Sequence, residues 1–488
     1  MLNNTFLILI LEIVYGLILF GVVLRIIWDT RSISKTLAYL LIVIFVPLFG
    51  IFFYFSFGIN YRKRKTYTRK ILTDNLLLED FKTEINENKQ WLETNKNSSV
   101  DFGQSLIKLL TNQSIDYCPV SVHNNIEILV NGESFFPLLI EKLKQAEKHI
   151  HIEFYIYEDD KIGNEIKEIL IEKAKQGVEV RFIYDDFGSK SIRGKLVKQL
   201  RENHVKVYPF NKIKLIALAN RLNYRNHRKI VVIDGKTSFI GGINISDKYI
   251  NNQENQLYWR DTHLMIEGEA SYSLQYVFLS DWNFCSREKI KISRNYFPKL
   301  EIEKLNFSPT QVIADGPDSK AHTLLISTIH AINLAKTDIL ITTPYYIPDD
   351  SLQQALVIAS LSGIKVKLLV PKIGDSYFVS TASKAYFEEL LNAGIEIYQY
   401  EKGFIHAKTF VIDGKISSVG TANLDIRSFD LNFEISSIIY DEKQALKLVK
   451  IFNDDLNHAK KIDVKNWKNR KKSVQFIERI FRLLSPFL

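Results

Sequence analysis

One short pattern occurs twice in this 488-residue chain, and few folds accommodate such a repeat. The first copy reads Asn226-His227-Arg228-Lys229-Ile230-Val231-Val232-Ile233-Asp234-Gly235. The second reads Ile405-His406-Ala407-Lys408-Thr409-Phe410-Val411-Ile412-Asp413-Gly414. Both have the form H-x-K-x(4)-D-G, and both continue at equal offsets to a glycine (Gly241, Gly420) and an asparagine (Asn244, Asn423). The apolar, β-branched run before each Asp-Gly predicts a strand entering a tight hairpin, with return strands through Ser238-Phe239-Ile240 and Ser417-Ser418-Val419. Residues two apart on a strand share a face, so His227 with Lys229, and His406 with Lys408, point the same way. An imidazole beside an ammonium suits an anionic oxygen group, above all a phosphate. A lone strand histidine is usually structural; a duplicated His-Lys pair is not.

The elements around each copy repeat as well. In the first half a strand at Ile128-Leu129-Val130 precedes a helix over 136–148. An alternating strand follows over 149–157, with His151, Glu153, Tyr155 and Tyr157 on one face. A helix over 166–175 ends at Gly177, and a strand runs over 178–184. The second half repeats the order with a helix over 322–334, a strand over 339–343, a helix over 352–360 ending at Gly363, and a strand over 364–370. The basic, proline-containing stretch 290–309 divides them. The polar residues 66–118 read as a linker with small helices. At the C-terminus, Lys-rich residues 460–472 lead into Val474, Ile477, Phe481 and Leu484 along one helical face, which docks on the body or lies at a membrane interface.

Two apolar runs, over 6–27 and 37–57, each reach across a bilayer core of about 30 Å. The first lacks the basic start and small-residue cleavage site of a signal peptide, and a second run follows it directly. Both are expected to be membrane helices, with Pro47 and Gly50 bending the second. Arg62, Lys63, Arg64, Lys65, Arg69 and Lys70 follow, which places the main body on the cytoplasmic side and against anionic lipid. The formal charge of +9 suits an anionic membrane, anionic lipids or nucleic acid alike. Two cysteines, Cys118 and Cys285, offer no disulfide framework and point to a reducing compartment. The scattered histidines show no metal spacing, so neither a metal nor another cofactor is expected.

The twin motif resembles the HKD motif of the phospholipase D superfamily. That resemblance implies an α/β fold: two similar α/β/α domains related by pseudo-two-fold symmetry, here preceded by two transmembrane helices. The divisions are a hairpin over 1–60, a basic helical linker over 61–118, domains over 119–300 and 301–460, and a basic amphipathic tail over 461–488. It also implies a catalytic set of His227, Lys229, Asp234, His406, Lys408 and Asp413. One histidine attacks phosphorus and the other protonates the leaving alkoxide; by the family's usual order His227 is the nucleophile. Lys229 and Lys408, with Asn244 and Asn423, bind the phosphate oxygens. Asp261 and Glu434, in Trp259-Arg260-Asp261 and Asn432-Phe433-Glu434, are acids placed to orient the histidines.

Further segments narrow the resemblance to bacterial cardiolipin synthases. These are Pro47-Leu48-Phe49-Gly50, Phe57-Gly58, Gly241-Gly242-Ile243-Asn244, Asp281-Trp282, Thr343-Pro344-Tyr345-Tyr346-Ile347-Pro348 and Leu483-Leu484-Ser485-Pro486. The implied reaction passes a phosphatidyl group between two phosphatidylglycerol molecules, giving cardiolipin and glycerol. The implied partners are phosphatidylglycerol and anionic membrane lipids, with no nucleic acid, at a multi-pass location in the bacterial cell membrane. A phospholipase D-type hydrolase and a phosphodiester nuclease would use the same histidines. A membrane scaffold would not need either motif.

Overall fold

Both motif hairpins enter one sheet. The computed structural model describes residues 2–29, 33–55, 83, 86–88, 90–95, 97–210, 224–251, 257–286, 288–291 and 293–485. The basic run at 62–70, Phe57-Gly58 and Pro486 lie outside them.

The first half contributes β1 (Val120–Val130), β2 (His149–Phe154), β3 (Glu179–Asp185), β4 (Lys206–Phe210), β5 (Ile230–Ile233), β6 (Thr237–Gly241), β7 (Tyr258–Arg260) and β8 (Thr262–Gly268). The second contributes β9 (Phe307–Asp315), β10 (Asp338–Thr342), β11 (Tyr346–Ile347), β12 (Lys365–Pro371), β13 (Glu396–Tyr400), β14 (Gly403–Ile405), β15 (Thr409–Ile412), β16 (Ile416–Gly420), β17 (Leu424–Asp425), β18 (Glu434–Ile439) and β19 (Ala459–Lys461). Among the described residues, fifteen strands form one sheet in the order β19-β13-β12-β10-β15-β16-β18-β9-β1-β8-β6-β5-β2-β3-β4. Read outward from the central antiparallel β9–β1 pair, the two halves run through matching strands: β18 and β8, β16 and β6, β15 and β5, β10 and β2. A pseudo-two-fold axis therefore passes between β1 and β9. The halves belong to one compact unit, joined by main-chain hydrogen bonds.

Helices cover both faces, so the inner strands are apolar on both sides. Val231 and Ile233 face one core with helices Asn131–Gln145 and Lys161–Lys175. Ile230 and Val232 face a central core shared by both halves, which includes Leu274 of helix Ala270–Cys285 and Leu448 of helix Glu442–Leu456. The alternation over 149–157 is therefore not a solvent face. Every residue of β2 is buried, and its polar side lies under helix Ala270–Cys285. There Gln275 bridges His149 at 3.1 Å and His151 at 2.7 Å. The stretch read as linker also contains a core element. Helix Ser98–Leu110, capped by the Asn97 side chain, buries Leu106 and Leu110 in the core of the second half.

The predicted turns are present. Asp234 and Gly235 have φ of 53° and 71°, and Asp413 and Gly414 have φ of 51° and 61°. Positive φ at both central residues marks the primed hairpin turn that matches strand twist.

The N-terminal segment is a separate unit. Among the described residues one helix is long and apolar enough to cross a membrane, over Phe6–Asp29 within α1 (Leu2–Asp29). The second apolar run is divided into α2 (Ile33–Phe45) and α3 (Pro47–Phe53), so a second uninterrupted span is not present. Val46 leaves the helical conformation at φ −135°, and Pro47 starts the next turns. The Val46 amide still reaches Ile42 O at 2.9 Å, so the chain bends there without unravelling. A Cβ on Gly50 would lie 2.5 Å from Ile42 O, and glycine permits that approach.

Buried imidazoles make this fold acid-sensitive. Burial lowers the pKa of His149 to about 4, of His263 to about 3, and of His151 well below its ordinary value. Below pH 6.5 the unfolded chain takes up protons that the folded chain refuses. Stability is therefore complete above that pH and falls as pH drops toward the folded values. At pH 5 His149 and His263 each cost about 2 kcal/mol. The denaturant midpoint is expected to fall steeply from pH 7 to pH 5, with a shallower slope in His263→Leu; a flat profile would contradict neutral burial.

Candidate active site

The histidines of the two motifs do not lie within the sheet strands. His227 to Lys229 precede β5, and His406 to Lys408 bridge β14 and β15. Their extended backbone is instead paired with the opposite half. β14 runs parallel to β7, setting Ile405 against Arg260, and the His406 amide donates to Arg260 O at 2.7 Å. Asn226 forms the matching parallel bridge with Phe433, and the His227 amide donates to Phe433 O at 2.9 Å.

In each case the next residue of the partner segment is an acid. His406 Nδ1 is 2.7 Å from Asp261 Oδ2, and His227 Nδ1 is 3.1 Å from Glu434 Oε1. The pairing is crossed: the acid that follows one motif holds the histidine of the other. Each imidazole then presents Nε2, with 20% of the His227 side chain and 14% of the His406 side chain exposed. Both acids are fully buried.

The histidines and lysines share a face, as the spacing predicts, because each ammonium turns back to the carbonyl of its own histidine. Lys229 Nζ donates to His227 O at 2.8 Å, and Lys408 Nζ donates to His406 O. Each lysine is also within electrostatic reach of both acids, which puts the two motifs in one site.

The two acids are accommodated differently. Asp261 lies against Gly242, where a Cβ would fall 2.1 Å from Oδ1. Asp261 also accepts the Thr262 amide at 2.8 Å. At the matching place after Gly420 stands Thr421, whose hydroxyl donates to Glu434 Oε2 at 2.5 Å. A bare glycine suits the aspartate, and a hydroxyl anchors the glutamate. Asn432 adds a contact to Glu434 Oε1 at 3.1 Å and lies 3.3 Å from His227 Nδ1.

Charge is finely set in this pocket. Burial lowers Lys229 to about 8 and Lys408 to about 7. Burial also lowers His227, against the pull of Glu434. Burial and then Lys408 lower His406 to about 3. Burial would raise the two acids, but His406, Lys408 and the Thr262 amide together outweigh it at Asp261, and His227, Thr421 and Lys229 at Glu434, so both stay below the ordinary carboxylate range. A bound phosphate favours protonation of the lysines and of one histidine.

The aspartates of the motif lie away from the two histidines. They occupy the hairpin turns, at the far end of β5 and β15. Asp234 accepts the amides of Glu147, Lys148 and His149 at 2.7–2.9 Å. Asp413 accepts those of Lys336, Thr337 and Asp338 at 2.7–2.9 Å. Each carboxylate thus pins the entry to a central strand. Asn244 is also occupied locally, since its Oδ1 accepts the Ile156 amide at 3.1 Å and its Nδ2 donates to Tyr249 at 2.7 Å. The Asn423 backbone amide donates to Ser428 at 3.2 Å, while its buried Oδ1 has no hydrogen-bond partner among the described residues.

Several functional neighbours carried no legible sequence signal. Tyr155 lies 4.1 Å from the His227 ring, and Trp259 and Phe404 lie 5.7 and 5.8 Å from His406. Two buried arginines brace the crossing. Arg228 ties Glu434 O and Asp315 O to Asp281, and Arg260 ties Asp261 O to Asp455. The Trp-Arg-Asp and Asp-Trp strings were visible in the sequence, but their role as cross-braces was not.

Two histidine–lysine pairs, each histidine held by the other half's acid on a duplicated sheet, make an arrangement of the two-domain phospholipase D type. The comparisons with known proteins agree. The family model described as cardiolipin synthase, PLD-like domain, matches residues 139–282 and 328–456, and the phospholipase D-nuclease N-terminal model matches 17–58. The chain is 40% identical over 460 residues to cardiolipin synthase 2 of Bacillus anthracis, covering 94% of this chain and 88% of that one. It is 40% identical over 470 residues to the major cardiolipin synthase of Bacillus subtilis, covering 94% and 95%. Among solved structures, phosphatidylserine synthase of Haemophilus influenzae superposes with a TM-score of 0.60 at 14% identity, over 80% of this chain and all of that one, a likeness of fold. The chain belongs to the bacterial cardiolipin synthase family of the phospholipase D superfamily.

Asp413→Ala is expected to lower stability by about 2–4 kcal/mol, because three backbone amides lose their acceptor. Turnover per folded molecule should change little. Loss of turnover at full stability would restore the aspartate to the chemistry. Lys408→Met should have the opposite signature. The folded lysine's pKa is below its unfolded value, so its cost is full below about pH 7 and fades toward pH 10.5. At pH 7 the variant should be more stable by about 1–3 kcal/mol and lose activity. Thermal melts at pH 7 and pH 9 check the sign.

Proposed function

We propose that the chain transfers a phosphatidyl group from one phosphatidylglycerol to the hydroxyl of another, releasing glycerol and forming cardiolipin. The crossed histidine–acid pairs carry this reading. With both Nδ1 atoms engaged, two Nε2 atoms are left to act as nucleophile and as acid. His227 Nε2 attacks phosphorus while Lys229 and Lys408 balance the anionic oxygens. The P–O bond to glycerol breaks, and the leaving alkoxide takes its proton from His406. In the second step His406 accepts the proton of the incoming hydroxyl, the new P–O bond forms and the P–N bond breaks.

The finer expectations belong to the same reading. The hairpin over 1–60 would pass the bilayer twice, with α2 and α3 together as a bent second span and the catalytic halves, over 119–300 and 301–460, on the cytoplasmic side. The positive-inside bias of the 62–70 run supports that orientation. The catalytic halves need a lipid hydroxyl to outcompete water, and a membrane tether raises the local lipid concentration. The names of the relatives at 40% identity support transfer over hydrolysis or nuclease action.

One observation favours exchanging the two histidine roles. His406 is held neutral more strongly than His227, and a nucleophile must be neutral. Trapping decides between the orders. His227→Ala and His406→Ala should each abolish transfer, and the double variant should lose no more than either. Acid-quenched His406→Ala incubated with labelled phosphatidylglycerol should carry label on His227. Label only on His406 of the His227→Ala variant would reverse the roles, and label on neither would count against a phosphohistidine intermediate.

A further inference from the structure

The C-terminal helix Lys472–Arg482 is packed with its polarity partly inverted. It buries Glu478, which is 4% exposed and paired with Arg470 at 2.6 Å, and leaves Phe476 65% exposed. Its docked side is formed by Glu478, Phe481 and Ser485. Phe481 meets Tyr377 and Phe378 of helix Tyr377–Asn392 at 5.8 and 5.4 Å, and Tyr386 reaches Ser485 at 2.9 Å. Phe476, Ile480 and Leu483 follow the i, i+4, i+7 spacing of a second stripe, and all three are exposed. Tyr377 and Phe378, exposed as well, extend this apolar surface across Phe481. A soluble surface seldom offers so many large apolar side chains together.

Charge indicates what covers this face. Residues 460–485 include the basic residues Lys460, Lys461, Lys465, Lys468, Arg470, Lys471, Lys472, Arg479 and Arg482, against the acids Asp463 and Glu478. The latter acid is buried. Apolar side chains in a basic border match the surface of an anionic bilayer, where the rings enter the acyl boundary and the cations remain among headgroups. The same chain carries a helix long and apolar enough to cross a membrane.

The face also adjoins the active site. Asp375, two residues before Tyr377, accepts the Tyr345 hydroxyl at 2.6 Å. The Tyr345 ring is 6.3 Å from Phe404, whose ring is 5.8 Å from His406. We infer that Phe476, Ile480 and Leu483, with Tyr377 and Phe378, form a second membrane contact that rests in an anionic bilayer and sets the His406 side of the site at the lipid surface. The inference rests on the lipid substrate class proposed above.

The test uses full-length protein in vesicles of phosphatidylglycerol and phosphatidylcholine. Phe476→Trp adds a reporter whose emission is read as the difference from wild type. Bromine-labelled phosphatidylglycerol should quench that difference, and aqueous acrylamide should quench it much less than it quenches free tryptophan in the same buffer. Quenching by acrylamide alone would overturn the inference, as would protection from both quenchers, which would mean that protein covers the face. This readout does not depend on turnover. Separately, Phe476→Glu with Leu483→Glu should lower cardiolipin formation from vesicle lipid roughly tenfold or more. Its turnover of a monomeric short-chain phosphatidylglycerol should match wild type. Equal loss on both substrates would overturn the contact, whereas inactivity of wild type on both, with quenching intact, would count against the proposed reaction and not against the membrane face.

Discussion

Everything about this site depends on an exchange of backbone hydrogen bonds between the two halves. Just before it enters the main sheet, each motif pairs, parallel, with the acid-bearing segment of the other half. The amide of His406 is committed to Arg260 O and that of His227 to Phe433 O. The carboxylates then arrive at Nδ1 as a consequence of register. Neither half by itself holds an oriented histidine, so the duplicated fold forms one catalytic unit. The β9–β1 seam and the two arginine braces tie the halves together in that register. Catalysis depends on that register, since a small displacement of an acid–base pair forfeits much of its effect.

The two halves share a strand order but differ in their side chains. Gly242 and Asp261 in one half correspond to Thr421 and Glu434 in the other. A shorter acid sits where the backbone comes close, and a longer acid sits where a hydroxyl can steady it. The aromatic neighbours differ as well, with Tyr155 beside His227 but Trp259 and Phe404 beside His406. Two histidines with one scaffold therefore differ electrostatically, which is what a reaction with one nucleophile and one acid requires.

The same interior shows what the function costs in stability. Two buried lysines face two buried carboxylates, and burial pulls both ammonium groups toward neutrality. No apolar core would choose this arrangement. The surrounding sheet and its main-chain hydrogen bonds hold these charges together at a cost in stability.

The sequence by itself determined the duplicated α/β unit, the primed Asp-Gly hairpins, the shared face of each His-Lys pair and the bend at Pro47, because these follow from local rules: strand periodicity, turn conformation and the missing amide of proline. It also exposed Asp261 and Glu434 as acids of interest. It did not show which histidine each would hold, since contacts across 145 residues (His406 to Asp261) or 434−227 = 207 residues (His227 to Glu434) have no local signature. Nor did it reveal that Asp234 and Asp413 staple turns, that polar β2 residues lie under a helix, or that Ser98–Leu110 belongs to a core. A motif aspartate looks the same in sequence whether it meets a substrate or three backbone amides. Only the tertiary structure decided those matters, because they are set by which backbone donors and which buried charges the folded halves bring within a few ångströms of one another.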